Sequence, residues 1–285
     1  MIILDGGLGS ELDKRLKLQC NESSWCARHH ELNPNTVLQI HMDFIKSGAQ
    51  IITANTYAVL QYLLQYSDND IQKSVHRAVE IARIAKPDFV AGSLSAHGFR
   101  GIDHKDIRKS LFLTASALSS APVDCILVEM IQNVAIAHDM IAAASTCCRP
   151  LLLGFSVREE CNKIKFKADD VEFTQDSVSR LLSNACNVKV VGIMHTNIQL
   201  VERGLTVLND VWSGPLMVYP DCGDFKDNVW HNENRHYESI VDDIINIAAK
   251  YPRLQIAGGC CGLGPEFIKL LRDKTEFVHA DTLLG

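Results

Sequence analysis

The chain alternates short apolar runs with longer amphipathic segments from one end to the other, and this rhythm limits the folds it can adopt. Runs of three to six mainly apolar residues have the length of buried β-strands. The eight predicted strands comprise residues 2–4, 51–53, 89–91, 125–128, 151–155, 188–193, 216–219 and 254–257.

The segments between these strands carry apolar residues at helical spacing. In residues 35–46, for example, Val37, Ile40 and Phe44 recur on one helical face. Asn33-Pro34 is a typical helix start, Gly48 a typical helix end, and Gly264-Pro265-Glu266 opens the last helix. The predicted helices lie within residues 35–46, 71–86, 111–118, 135–144, 177–182, 198–208, 240–249 and the segment after 264.

Eight strands that are each followed by a helix predict an α/β protein with a (β/α)8 TIM barrel as a single domain over residues 1–285. A doubly wound open sheet is the alternative, and it would need a glycine-rich phosphate loop after the first strand. The segment from Asp5 to Ser10 resembles such a loop only loosely, and no ribose-binding acid follows a second strand at the right distance. The barrel is therefore the favoured fold.

Polar, thiol and glycine residues stand at the end of nearly every predicted strand. Barrel enzymes collect their active-site residues at these points. In chain order they are Asp5-Gly6-Gly7, Asn55-Thr56-Tyr57, Gly92-Ser93, Glu129, Ser156, His195, Tyr219 with Asp221-Cys222-Gly223, and Gly258-Gly259-Cys260-Cys261-Gly262. The pattern predicts a functional site at the carboxyl face of the barrel.

The last of these segments, Gly258-Gly259-Cys260-Cys261-Gly262, places two adjacent thiols in a glycine-rich turn directly after a strand. Glycine allows the backbone to turn sharply, so both sulfurs can point toward one place. Two convergent thiolates form half of a soft-metal site. A packed turn with buried cysteines is the alternative interpretation.

Composition excludes several classes of function. The net charge of -6 and the absence of a long basic run argue against a nucleic-acid partner. No apolar stretch approaches the roughly 20 residues of a membrane helix, and the start of the chain does not resemble a signal peptide. We therefore expect a cytoplasmic protein without a membrane partner, whose ten cysteines are reduced or metal-bound.

Several motifs along the whole chain resemble the homocysteine S-methyltransferase family, which includes enzymes that use S-methylmethionine, S-adenosylmethionine or betaine. The most specific of them is Gly258-Gly259-Cys260-Cys261-Gly262. The others are Leu4-Asp5-Gly6-Gly7, Trp25-Cys26-Ala27-Arg28, Asn33-Pro34, the segment from Gly48 to Tyr57, Val128-Glu129 and Val218-Tyr219-Pro220.

The resemblance implies a zinc-dependent methyltransferase of methionine biosynthesis. Family members bind Zn2+ with one cysteine after the sixth strand and two adjacent cysteines after the eighth, which are Cys260 and Cys261 here. The metal ionises the thiol of homocysteine, and the thiolate takes a methyl group from a sulfonium or ammonium donor. The expected partners are homocysteine and a small donor such as S-methylmethionine or S-adenosylmethionine.

The resemblance also implies which residues bind the substrate. Asp5 and Glu129 match the acidic positions near the ammonium group, and we assign them both catalytic and substrate-binding roles. The backbone of Gly6 and Gly7 is expected to approach the ligand closely. Asn55 and Tyr57 complete the predicted substrate-binding set, with the ring of Tyr57 as a wall for a cationic methyl group or as packing at the barrel mouth.

The chain departs from the family pattern after the sixth strand, where Gly192-Ile193-Met194-His195 replaces the usual Gly-x-Asn-Cys. In one interpretation His195 is the third metal ligand, because zinc accepts imidazole readily. In another, Cys222 after the seventh strand supplies the third thiolate. In the third, the site binds metal weakly or not at all.

These alternatives lead to different functions. A complete site predicts methyl transfer from a sulfonium or betaine-type donor, and a degraded site predicts a non-catalytic, thiol-binding barrel. The loop between Ser93 and Ser110 is shorter than is common in members that use sulfonium donors, which predicts a change in how the donor is held. A metal-dependent hydrolase on the same fold is disfavoured, because the chain has no His-x-His pair after its first strand.

Overall fold

The computed structural model describes residues 1–17, 26–57, 66–98, 101–222, 224–226, 229–231 and 237–275, the short pieces between 224 and 231 by their backbone alone. Twelve strands lie within these ranges. They are β1 (Ile2–Ile3), β2 (Ile51–Ala54), β3 (Phe89–Ser95), β4 (Cys125–Ile131), β5 (Leu151–Phe155), β6 (Val157–Glu160), β7 (Lys163–Phe166), β8 (Val188–Asn197), β9 (Leu216–Asp221), β10 (Asp224–Lys226), β11 (Val229–His231) and β12 (Leu254–Ala257).

Helices separate the strands of the main sheet. They are α1 (Leu8–Leu16), α2 (His29–Leu32), α3 (Pro34–Ser47), α4 (Asp68–Ile84), α5 (His104–Ser120), α6 (Val134–Ser145), α7 (Gln175–Leu182), α8 (Ile198–Val211), α9 (Tyr237–Lys250) and α10 (Pro265–Lys274). Within the described ranges, none of them combines the length and the apolarity required to cross a bilayer.

Eight parallel strands form one sheet in the order β1-β12-β9-β8-β5-β4-β3-β2. A parallel bridge between Leu4 and Ile51 joins the two outermost strands, and the Asp5 amide donates to the carbonyl of Ile51 at 3.0 Å. The sheet therefore closes on itself with its helices outside. The predicted (β/α)8 barrel is confirmed.

The apolar residues of the barrel strands divide between two cores. In β4, for example, Cys125 and Leu127 belong to the cluster inside the barrel, while Ile126 and Val128 pack outward against the helices. This alternation follows from the two-residue period of a strand. By the same period, Glu129 points into the barrel.

The eight predicted barrel strands are all present, but several continue past the last apolar residue of the predicted segment. Strand β8 extends to Asn197 and β9 to Asp221, so His195 lies inside a strand and not after it. The sheet continues because the polar residues line the mouth of the barrel and still pair through their backbones. The antiparallel hairpin of β6 and β7 was not predicted.

His41 of α3 is an unusual component of the outer core. Its side chain is fully buried, and within the described part of the chain neither ring nitrogen has a hydrogen-bond partner. Burial lowers its pKa to about 4. The folded protein therefore holds this imidazole neutral, whereas the unfolded chain protonates it near its ordinary pKa of about 6.5.

We predict that this histidine makes the fold sensitive to mild acid. Between pH 6.5 and 4 the unfolded state binds the additional proton, so stability falls as the pH falls. Because each pKa unit corresponds to about 1.4 kcal/mol, the contribution of His41 should cost about 2 kcal/mol of the free energy of unfolding when the pH is lowered from 7.5 to 5. Other buried groups titrate in this range, so this contribution is the difference between the wild-type protein and a variant without the imidazole. Urea unfolding of the His41→Leu variant should lack this loss. The same change at His138, which is exposed on α6, should preserve it.

Candidate active site

The Cys260-Cys261 turn follows β12 and is fixed by backbone hydrogen bonds to the neighbouring strand β9. The amide of Cys260 donates to the carbonyl of Pro220 at 2.7 Å, and the amide of Cys222 donates to the carbonyl of Cys261 at 2.9 Å. The two thiols are partly exposed, and their sulfurs lie 3.7 Å apart. The turn thus presents both sulfurs together at the mouth of the barrel.

The turn is also packed closely against the β1–α1 connection, and this contact explains its glycines. A Cβ atom on Gly7 would lie 2.6 Å from the carbonyl oxygen of Cys260, and one on Gly6 would lie 2.2 Å from that of Leu263. Gly262 has a φ of 79°, in the left-handed region that glycine adopts readily. In the structure, the backbone of Gly6 and Gly7 therefore lies directly against the cysteine turn.

His195 reaches the same place through an irregularity in β8. Along this strand Val190 and Met194 face the barrel interior, so regular alternation would direct residue 195 outward. The pairing of β8 with β9 shifts between Met194 and Asn197, and His195 has a φ of 45°. Such a bulge redirects a side chain, and here it turns the imidazole toward the cysteines.

His195, Cys260 and Cys261 form one cluster. The Nδ1 atom of His195 lies 3.5 Å from the sulfur of Cys260 and 3.9 Å from that of Cys261. In the described part of the chain, this is the group of metal-ligating side chains close enough together to hold an ion. Burial lowers the pKa of His195 well below its usual value, so its imidazole is neutral and has a lone pair available for a metal.

Cys222 lies elsewhere. It is the first residue after β9, and its side chain lies on the same outward face as those of Leu216 and Val218. It belongs to the outer apolar cluster and is about 1% exposed. Its backbone contacts the cysteine turn, but its thiol is absent from the cluster of His195 with Cys260 and Cys261. The structure therefore brings His195 to the paired thiols, and it leaves the side chain of Cys222 behind the sheet.

Asp5 is buried at the end of β1 and is held by the neighbouring strand β2. Its carboxylate accepts hydrogen bonds from the Thr53 amide at 2.7 Å and from the Thr53 hydroxyl at 2.9 Å. The Tyr219 hydroxyl lies 3.4 Å from the same carboxylate. Burial nevertheless raises the pKa of Asp5 to about 7.

Glu129 is the second carboxyl group in this part of the barrel. It is about 9% exposed, and burial, with the charge of Asp5 acting in the same direction, raises its pKa to about 7. Within the described ranges, neither carboxyl has an ion-pair partner. Two uncompensated acids close to each other form a site with an affinity for a cation.

The side chain of Tyr219 lies near both the acids and the cysteines. Burial raises its pKa well above the usual value, and the charges of Asp5, Cys260, Glu129 and Cys261 act in the same direction. The carboxyl pair and the cysteine pair are therefore neighbours of one tyrosine side chain.

Directly after β2, Asn55 and Tyr57 contact the segment of residues 26–30. The Tyr57 hydroxyl lies 2.8 Å from the sulfur of Cys26, and its ring centre is 5.5 Å from that of His97. The amide nitrogen of Asn55 donates to the Cys26 carbonyl at 3.1 Å. Asn55 thus holds the Cys26 backbone, while Tyr57 and His97 form an aromatic pair.

Several residues of the site were not assigned roles from the sequence. Thr53 and Tyr219 hold Asp5, and Lys167 and Asp221 contact or approach His195. Tyr219 and Asp221 had a sequence signal as polar residues near a strand end, and Thr53 had one only as part of the segment from Gly48 to Tyr57. Thr53 lies within an apolar run, and Lys167 follows the hairpin that was not predicted.

Comparison with known proteins identifies relatives that match nearly the whole chain. The sequence model of the family described as homocysteine S-methyltransferase matches residues 2–275. The chain is 26% identical over 310 residues to the homocysteine S-methyltransferase of Escherichia coli strain K12, covering 96% of this chain and 95% of the relative. It is 24% identical over 312 residues to a selenocysteine methyltransferase of Astragalus bisulcatus, covering 94% and 90%.

A solved structure supports the same fold. The crystal structure of the homocysteine methyltransferase MmuM from Escherichia coli in its metallated form matches with a TM-score of 0.77 at 20% sequence identity. The match covers 96% of each chain. This likeness agrees with the closed barrel described above.

Proposed function

The chain belongs to the homocysteine S-methyltransferase family, and on this premise we propose that it makes methionine by zinc-dependent transfer of a methyl group from a sulfonium donor to homocysteine. The prediction of a methyltransferase of this family is confirmed by the match over residues 2–275. Its metal ligands, its substrate contacts and its donor are the proposal.

The observation that carries the proposal is the spacing of the three candidate ligands. Tetrahedral zinc with bonds of about 2.3 Å to sulfur and about 2.0–2.1 Å to nitrogen separates two sulfurs by about 3.8 Å and a sulfur from a nitrogen by about 3.6 Å. The sulfurs of Cys260 and Cys261 are 3.7 Å apart, and Nδ1 of His195 is 3.5 and 3.9 Å from them. The residues therefore fit zinc as a His-Cys-Cys set.

Three protein ligands leave a fourth tetrahedral position for a substrate. Zinc at this site would ionise the thiol of homocysteine, which supplies the nucleophile for methyl transfer. Because two thiolates and a neutral imidazole compensate the charge of zinc, such a site has no net charge before the substrate binds. Three thiolates would leave one negative charge.

The remainder of homocysteine finds complementary groups in the same pocket. Asp5 and Glu129 are buried acids without an ionic partner in the described part of the chain, and an amino-acid ammonium group would compensate their charge. Thr53 and Tyr219 orient Asp5 for this contact. With its ammonium group bound there, homocysteine would be positioned with its sulfur toward the cysteine turn.

The aromatic pair of Tyr57 and His97 is proposed to line the approach of the methyl donor. A tyrosine ring face attracts a positively charged methyl sulfonium or ammonium group. Burial lowers the pKa of His97, so the histidine beside this face is neutral and does not repel a cation. In the transfer, the methyl carbon would form a bond to the homocysteine sulfur as its bond to the donor breaks. The electron pair of the broken bond stays on the donor sulfur or nitrogen, so the donor departs as a thioether or an amine.

Incubation with homocysteine, added Zn2+ and one donor at a time tests this function directly, with methionine as the measured product. Because S-methylmethionine itself yields methionine when it is demethylated, and keeps one of its two methyl groups, the carbon skeleton of homocysteine should be isotopically labelled. S-Adenosylmethionine and betaine form the other two arms. Labelled methionine from a sulfonium donor supports the proposal. Zinc-loaded protein that is inert with all three donors but still binds homocysteine would instead indicate the non-catalytic, thiol-binding barrel.

We also predict that binding of the amino-acid head releases protons near neutral pH. Asp5 and Glu129 are partly protonated at pH 7 in the ligand-free protein, and an ammonium group between them favours their charged forms. Affinity should therefore increase as the pH rises from 6 to 8. Calorimetry with norleucine, which has the head group but no thiol, in two buffers of different ionisation enthalpy should detect the release. The Glu129→Gln variant should release fewer protons.

A further inference from the structure

We propose that Lys167 and Asp221 are positioning residues that hold His195 in the orientation required of a metal ligand. This inference rests on the proposed metal site, and it concerns a contact between the hairpin of β6 and β7 and the irregular end of β8.

The backbone at His195 is held in a conformation that is unfavourable for a residue with a side chain. A φ of 45° lies in the left-handed region, which is strained for a residue other than glycine. The residue also falls within the shift in pairing between β8 and β9, where the regular ladder does not constrain it. Contacts from outside this ladder must therefore stabilise the conformation.

The hairpin inserted after β5 provides such contacts. The amide of Val157 in β6 donates to the Thr196 hydroxyl at 3.0 Å, and this hydroxyl donates to the carbonyl of Met194 at 2.8 Å. Lys167, the first residue after β7, donates from its ammonium group to the carbonyl of His195. The residues on both sides of His195, and its own carbonyl, are thereby tied to one structural unit.

Asp221 fixes the ammonium group at this position. Its carboxylate lies 3.2 Å from Nζ of Lys167, and the aspartate side chain is about 5% exposed. The same carboxylate oxygen is 4.0 Å from Nδ1 of His195, on the side where the two cysteine sulfurs lie. Lys167 therefore holds the backbone of His195, and Asp221 acts on His195 by fixing the ammonium group of Lys167.

Contacts of this kind determine how well a metal site binds its ion. Groups behind the direct ligands fix their orientation, and their loss typically weakens metal binding by about 10–100-fold. A histidine presented on a bulge has more freedom than one on a regular strand. Its ring must nevertheless stay within a fraction of an ångström of the position that suits two sulfurs on another strand.

The zinc dissociation constant of purified protein, measured by competition with a chromophoric chelator, tests the proposal. We expect Lys167→Met to raise this constant about 10–100-fold and Lys167→Arg, which retains a charged donor, to restore most of the affinity. The matched control is Lys165→Met. Lys165 lies on the same hairpin but pairs with Glu160 and Asp170. Its replacement is therefore expected to leave the zinc dissociation constant unchanged.

Two further measurements separate positioning from a general structural role. The d–d absorption bands of the Co2+-substituted protein report the geometry of the nitrogen and sulfur ligands, and they should change in Lys167→Met and Asp221→Asn. In a His195→Ala background, Lys167→Met should cause no additional loss of metal affinity. An equal loss with and without His195, or a Lys167→Met protein that behaves like Lys165→Met, would overturn the inference. Wild-type protein that binds no zinc would instead refute the proposed metal site.

Discussion

Replacing either cysteine of the Cys260-Cys261 turn, or His195, is expected to weaken zinc binding and to lower methyl transfer, each by more than about 100-fold. The estimate follows because loss of a group behind a ligand already costs about 10–100-fold in affinity or activity, and loss of a ligand should cost more. Serine at position 260 or 261 and alanine at position 195 are suitable changes. Metal content by elemental analysis and the rate of methionine formation are the two measurements.

Cys222→Ser is the matched control for this prediction. Its thiol is also close in sequence to a strand end, and its amide contacts Cys261, but the side chain packs in the outer core. The variant should keep its zinc and its activity, with a stability cost from placing a hydroxyl in an apolar cluster. If instead Cys222→Ser loses the metal and His195→Ala retains it, the ligand set that we propose is wrong.

The sequence predicts the barrel well because each strand is a continuous apolar run between amphipathic helices. It predicts the ends of the strands less well, since the last residues of β8 and β9 pair through their backbones whatever their side chains are. The hairpin of β6 and β7 was missed for a related reason. Its turn places Cys161 and Asn162 at φ values of 51° and 63°, but the pair is not one of the glycine-containing dipeptides that usually mark such turns.

The candidate site shows where sequence patterns stop being informative. The pattern placed His195 and Cys222 after neighbouring strands, and both remained possible third ligands. Our proposal favours His195 because of the orientation of the two side chains, which depends on a bulge in β8 and on the continued alternation of β9. Lys167 carried no signal at all, because its relevance arises only once the hairpin brings it to the carbonyl of His195.

Glu129→Gln is expected to change stability and ligand binding in opposite directions. Burial raises the pKa of Glu129 to about 7, so its charged form is disfavoured in the folded protein and stability decreases as the pH rises from about 4.5 to 7. At pH 8 the raised pKa of Glu129 lowers the free energy of unfolding by about 3 kcal/mol, and the Glu129→Gln variant should recover most of this stability. The same change removes a charge-assisted contact to the ammonium group of homocysteine, worth about 1.5–3 kcal/mol, or roughly 10–100-fold in KM.

Asp139→Asn is the matched control, because it separates a buried acid that stabilises the fold from one that binds the ligand. Asp139 is also a buried carboxyl group, about 6% exposed, but it is paired with Arg108 and with His104 at 2.9 Å, between α5 and α6. Its replacement should destabilise the fold and leave the KM for homocysteine unchanged. Removing one partner of a buried ion pair destabilises a protein, whereas a buried acid that binds a cationic ligand destabilises the fold as long as the ligand is absent. Unfolding at pH 8 and the KM for homocysteine measure both properties, and a Glu129→Gln protein that is less stable with an unaltered KM would place Glu129 with the structural acids.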